Sequence, residues 1–207
     1  MRRSLARILA VPAAAAGIVA GTAFAAPSAF AASSLNVTSG TVAVTVNDSY
    51  IAQLAQAGVV EYPVPLSDLS ADNTNKTVTA TFNATGGNGN LAVDFGAVNL
   101  AGQVVVRDKN GKSVTLNNLT LNVRGGDFQG TPAGSSTPVP LWDLHNQIAS
   151  WTGTTPSPTF TDTWQAQNLV VDAAGAAYLN SALGTTAFPA GQTIGTLHAT
   201  WTDSYTG

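Results

Sequence analysis

The feature that most constrains this chain is alternation with a period of two, which returns again and again along its length. Thr41 to Val46 reads TVAVTV and sets Val42, Val44 and Val46 on one face. Lys76 to Ala84, KTVTATFNA, repeats the pattern with Val78, Ala80 and Phe82. Successive side chains of a strand point to opposite faces, so such runs form strands with one face buried. The run GQVVVRDKNGKSVTL adds a hairpin: two Val-rich arms flank Asp108-Lys109-Asn110-Gly111, and Asn-Gly supplies the positive φ that a tight turn needs. A lone DxNG without later acidic ligands reads as that turn rather than as a calcium loop. In VTLNNLTLNV the apolar phase slips between Leu116 and Leu119, which predicts a bulge at Asn117-Asn118.

Two stretches break the alternation with helical spacing. DSYIAQLAQAG begins at Asp48, and DAAGAAYLNSALG runs from a capping Asp172 to a closing Gly184. Offset by 125 residues, Asn47 falls on Asp172, Leu54 on Leu179 and Tyr50 on Gly175; after one inserted residue, Tyr62-Pro63 meets Phe188-Pro189. The shared plan is strand, polar cap, two-turn helix, glycine, short strand. Between Arg124 and Pro158, GGDFQGTPAGSSTPVP and TGTTPSP carry the Gly, Pro and Ser of surface loops. The expected fold is all-β: a β-sandwich, immunoglobulin-like or a related Greek key, with two short helices.

The N-terminus predicts export. Arg2, Arg3 and Arg7 precede an apolar run from Ile8 to Ala25, followed by Ala29-Phe30-Ala31. Residues 1–31 read as a secretory signal peptide and 32–207 as one domain, with no membrane span after cleavage. The Ala-rich leader points to a high-GC bacterium. Three of the eight basic residues leave with the leader while all eleven carboxylates stay, so the remaining body carries a formal charge of −6. That balance lacks the electrostatic footprint of a nucleic-acid partner. The chain has no cysteine, which excludes disulfides and thiolate metal sites.

Residue types for catalysis are scarce. Glu61 is the single glutamate, there is no GxSxG elbow, and the two histidines form no HxH or HExxH pattern. No catalytic residue and no metal ligand is therefore assigned. His198 falls on the polar face of its strand, with Thr196 and Thr200, while Trp164 and Trp201 fall in regular strand patterns and read as core. The densest local group is LWDLHNQIASW, with Trp142, Asp143, His145 and Trp151. Aromatic faces beside polar groups suit a sugar ring or another flat ligand. The other reading is a strand that packs Leu141, Trp142 and Leu144 inward.

Three segments, TVAVTVNDSYI, LAGQVVVRDKNGKSVTLNNLTLNV and VVDAAGAAYLNSALGTTAFPAGQTIG, resemble in order and character the HtaA-type domain of secreted and surface actinobacterial proteins. The resemblance implies a β-rich sandwich with small helices. It also implies haem held by a tyrosine of the first segment with a supporting histidine, and Ser49-Tyr50-Ile51 looks like that position. In this chain LAVDFGAVNLAGQ supplies no histidine, and Thr and Val replace the aromatic approach. The expectation is a secreted, non-enzymatic structural or binding protein of the cell surface or medium, needing no cofactor. The alternatives are a haem-binding module using Tyr50 and a glycan-binding module using Trp142, His145 and Trp151. A hydrolase would need aspartates from separate strands to converge.

Overall fold

The computed structural model describes residues 34–91, 94–154 and 159–206. The expected leader, 1–31, lies outside them. In chain order the elements are β1 (Ser34–Asn47), α1 (Asp48–Gln56), β2 (Val59–Val64), a 3-10 turn (Leu66–Asp68), β3 (Leu69–Asp72), β4 (Thr77–Gly87), β5 (Ala97–Leu100), β6 (Gln103–Asp108), β7 (Ser113–Asn122), β8 (Asp127–Pro132), β9 (Val139–Thr154), β10 (Thr159–Val171), α2 (Ala173–Leu183) and β11 (Thr193–Thr206).

The strands close on themselves. Hydrogen-bonded neighbours run β7-β5-β4-β1-β11-β10-β9-β8, and β8 pairs back onto β7. Eight antiparallel strands thus form a barrel, which corrects the expected sandwich. Alternation cannot separate the two architectures, because both bury one face of each strand. The edges decide, and the deciding strand is β8. It lies in the Gly-, Pro- and Ser-rich stretch expected to be loop, yet all its residues but the half-buried Gln129 are buried and it pairs with both β7 and β9. Gly130 makes this possible: a Cβ there would lie 3.0 Å from the Leu116 side chain and 3.1 Å from that of Leu119.

The apolar faces point inward. Trp164 and Ala166 of β10, with Leu197, Ala199 and Trp201 of β11, are buried, while Thr161, Gln165 and His198 are exposed. Polar outside and apolar inside is the reverse of a lipid-facing barrel. No described helix is long and apolar enough to cross a membrane. An aromatic row crosses the interior, Phe82 to Phe128 at 5.7 Å and Phe128 to Trp142 at 4.8 Å between ring centroids.

The predicted bulge is present. Register shifts between Asn117 and Thr120, and Asn118 sits at φ 47°. β7 pairs with β6 before this bulge and with β5 after it. β4 likewise pairs with β3 along its first half and with β5 along its second. The short β5 is therefore the described strand that bridges β4 and β7. Beyond it the wall divides, one side carried on by β3 and the other by β6 and β2. The hairpin turn is also as read: Asp108 Oδ1 accepts from Asn110 N at 2.9 Å and from Lys112 N at 2.8 Å.

Both helices are capped as their sequences predict. Asn47 Oδ1 accepts from Tyr50 N at 2.9 Å; Asp172 Oδ1 accepts from Ala174 N and Gly175 N at 2.6 and 3.0 Å. Gly184, at φ 69°, ends α2. The internal echo stops there. β2 follows α1 and pairs with β6, but 185–192 form no strand. Phe188 is instead buried and clasped by Asn180, whose Nδ2 donates to its carbonyl while its Oδ1 accepts from its N–H.

Candidate functional site

Where the wall divides, a cavity of about 300 Å³ opens beneath α1. Its lining is almost wholly apolar. β1 supplies Val44 and Val46, β4 supplies Val78, Ala80 and Phe82, α1 supplies Ile51 and Leu54, and Trp142 reaches it from β9. Exposed apolar residues continue the lining outward, Leu66 being 64% and Leu69 37% exposed. An apolar hollow with few polar groups is the usual form of a small-molecule site.

The polar groups in the lining are Tyr50, Glu61 and Tyr62. Tyr50 is 2% exposed, and its hydroxyl donates to Glu61 Oε2 at 2.9 Å. The pair follows from local structure. The Asn47 cap fixes the first turn of α1 and so places Tyr50. Alternation along β2 puts Glu61 on the same face as the buried Val59 and Pro63. Burial pushes the Glu61 carboxyl up to about 7, opposed by the hydrogen bond from Tyr50. Burial, then the charge and hydrogen bond of Glu61, hold the Tyr50 phenol well above its ordinary range. α1 is tied in place from outside the barrel: Gln53 Nε2 donates to Ala187 O at 3.1 Å and to Gln192 Oε1 at 3.1 Å.

The other predicted site residues do not gather. Trp142 is 5% exposed, packed against Phe128 with the rings tilted by 34°, and Leu141 and Leu144 pack inward beside it. His145 is exposed and pairs with Asn168; Trp151 is 51% exposed and pairs with Asp162. Six residues apart on one strand, His145 and Trp151 are about 20 Å from each other. Trp142, His145 and Trp151 therefore form no common surface.

A second group was not foreseen. Asp162 of β10 and Asp203 of β11 are diagonal neighbours inside the barrel, each 0% exposed. Asn90 Nδ2 donates to Asp203 at 3.2 Å, Leu91 N donates to Asp162 at 3.5 Å, and the Trp201 indole donates to Gly89 O at 2.9 Å. Among the described residues, Oδ1 of each aspartate has no partner outside the pair. Burial is the main cause that raises both carboxyls, Asp203 to about 7. The sequence did carry a signal for both groups: alternation puts Asp162 with Trp164, Asp203 with Trp201, and Glu61 with Val59, each acid on an apolar face.

No protein family's profile matches the chain, and no curated protein matches it. A solved structure does: the C-terminal domain of HtaA from Corynebacterium glutamicum, with a TM-score of 0.54 at 13% identity, over 83% of this chain and 100% of that domain. In fold, the chain resembles the HtaA type. The resemblance read from the sequence thus holds at the level of the fold. The haem ligation it implies uses a tyrosine phenolate oxygen, favoured by a nearby hydrogen-bond donor. Tyr50 does line the cavity, but its hydroxyl keeps its proton and donates it in a hydrogen bond to Glu61. No Lys, Arg or His lines the cavity. As arranged, these residues do not fit a ferric haem.

Proposed function

We propose that this chain is a secreted, non-enzymatic binding protein that holds an apolar small molecule in the cavity beneath α1. The observation that carries the reading is the cavity itself: about 300 Å³, walled by Val, Leu, Ile, Ala, Phe and Trp side chains, with the hydrogen-bonded Tyr50–Glu61 pair and Tyr62 as its polar groups. The non-enzymatic part rests on the carboxylates. The buried aspartate pair lies at the other end of the barrel with no exposed surface, and Glu61 has a tyrosine rather than a second acid beside it. Export rests on the leader-like N-terminus, and the partner is a small ligand or cell-surface component rather than nucleic acid, in keeping with the acidic body.

The test uses N-phenyl-1-naphthylamine, a neutral apolar dye that brightens in apolar surroundings. It is expected to bind saturably and to change Trp142 emission, because Trp142 lines the cavity. Ala80→Phe, which fills the space from β4, is expected to abolish both signals while leaving the far-ultraviolet spectrum unchanged. Dye binding indifferent to Ala80→Phe would place the dye elsewhere and remove the basis of the reading. Hemin is the comparator: a Soret shift abolished by Tyr50→Phe would favour the haem alternative over this one.

A further inference from the structure

We propose that the cavity selects its ligand by charge and hydrogen-bonding sense: it takes apolar molecules whose head group donates, an ammonium or a hydroxyl, and rejects anionic ones, with Glu61 setting the choice. This rests on the cavity being a binding site, as proposed above.

The argument begins with the direction of one hydrogen bond. Tyr50 donates its hydroxyl hydrogen to Glu61 Oε2. A phenol has one hydrogen to give, so toward the cavity the Tyr50 oxygen is left only as an acceptor. Glu61 Oε1 accepts from no described residue, and above pH 7, where Glu61 is mostly ionised, it too is an acceptor. The pair therefore presents acceptors and no donor, and Tyr62, the next residue of β2, alternates to the opposite face of the strand from Glu61. A head group with N–H or O–H can satisfy it; a carboxylate or phosphate would face acceptor against acceptor with no hydrogen between them.

Charge points the same way. The five Lys and Arg outside the leader are Lys76, Arg107, Lys109, Lys112 and Arg124, and none lines the cavity. An anionic head group brought to Glu61 meets a like charge among apolar walls, where the interaction is stronger than in water. An ammonium meets an opposite charge, and charge-assisted hydrogen bonds are among the strong ones. The surrounding Val44, Val46, Leu54 and Phe82 take the apolar body.

Three ligands of equal chain length separate these cases: decylammonium, decanol and decanoate. Each is titrated at pH 8, below micelle-forming concentration, against the dye-loaded chain. Decylammonium is expected to displace the dye at a concentration about tenfold or more below that of decanoate, with decanol between. Glu61→Gln is expected to remove most of the advantage of decylammonium over decanol while decanol binding persists. Decanoate displacing as well as decylammonium would overturn the inference and leave the binding reading standing. So would an unchanged order of the three in Glu61→Gln. If neither the dye nor any of the three binds, both readings fall together. The order in the unsubstituted chain decides the matter even if the variant does not fold.

Discussion

Tyr50 and Glu61 show how one residue pair couples stability to a site. Glu61 is an acid on an apolar strand face, its carboxyl raised from its ordinary value of 4.5 to about 7. A carboxyl raised on folding binds protons more tightly in the native state. It contributes stability that is fully present below about pH 4.5 and is lost as pH rises through 7. Glu61→Gln is therefore expected to flatten the fall in urea midpoint between pH 5 and pH 8, at constant m-value. Tyr50→Phe acts in the opposite sense, because the hydroxyl is the one group that lowers the Glu61 value. Without it the loss extends to higher pH, and a desolvated carboxylate without its donor costs about 1–3 kcal/mol at pH 8. A Tyr50→Phe midpoint equal to that of the parent at pH 8 would show that the hydroxyl does not support Glu61. Half of this pair was legible in the sequence. Tyr50 stood out at the start of a helix, and alternation alone set Glu61 beside Val59 and Pro63. That the two meet could not be read, because it depends on how α1 folds back over β2.

The two helices have matching caps and opposite packing, and this decides where the cavity lies. Gly175 of α2 aligns with Tyr50 of α1. A Cβ at Gly175 would lie 2.4 Å from Pro140 O and 3.1 Å from Leu141 Cα, so α2 presses directly on the β9 backbone. α1 carries a tyrosine at the equivalent place and stands over open space. Glycine at 175 is thus a matter of close approach, whereas the cavity described above lies beneath α1. Gly175→Ala is expected to push α2 off β9 and destabilise the chain by about 1–3 kcal/mol, read from chemical denaturation. Dye uptake beneath α1 is expected to survive, since that helix is untouched. A Gly175→Ala chain as stable as the parent would mean that α2 can shift freely. At this scale the sequence was a good guide to whatever has a local signature: caps, the Asp108–Gly111 turn and the bulge at Asn118. It misled where pairing overrides local character. β8 is rich in turn-forming residues, yet it is a strand because β7 and β9 both need a partner. The segment after α2 repeats the pattern of β2, yet it stays irregular: its backbone bonds to β10 are confined to Gly191 and Gln192 on Val171, and no longer ladder forms among the described residues.

Closure of the barrel is a property of the whole molecule, and so is the place of its second acidic site. Alternation identified the inner faces correctly, but a barrel and a sandwich share that pattern, and only the β7–β8 pairing distinguishes them. Closing the barrel buries Asp162 and Asp203 side by side, away from solvent. Burial favours a protonated carboxyl, and two carboxylates in contact favour holding a proton between them. Both carboxyls are raised, Asp203 to about 7, so this pair also stabilises the fold at low pH and loses that contribution as pH rises toward 7 and beyond. Asp203→Asn supplies a permanent donor to Asp162 in place of the shared proton. It is expected to raise the denaturation midpoint at pH 8 relative to the parent, with little change at pH 5. Glu61 titrates in the same window, so the two must be separated. Asp203 pairs with Val37 on β1, and the cavity is reached at Val46, nine residues further along that strand, about 30 Å away. Sites that far apart with no shared partner act independently. The double variant Glu61→Gln/Asp203→Asn is therefore expected to lose both pH-dependent increments, equal to the sum of the two singles. A double variant no flatter than either single would mean that the ends of the barrel are coupled through its core, and the two acids would then have to be treated as one titrating system.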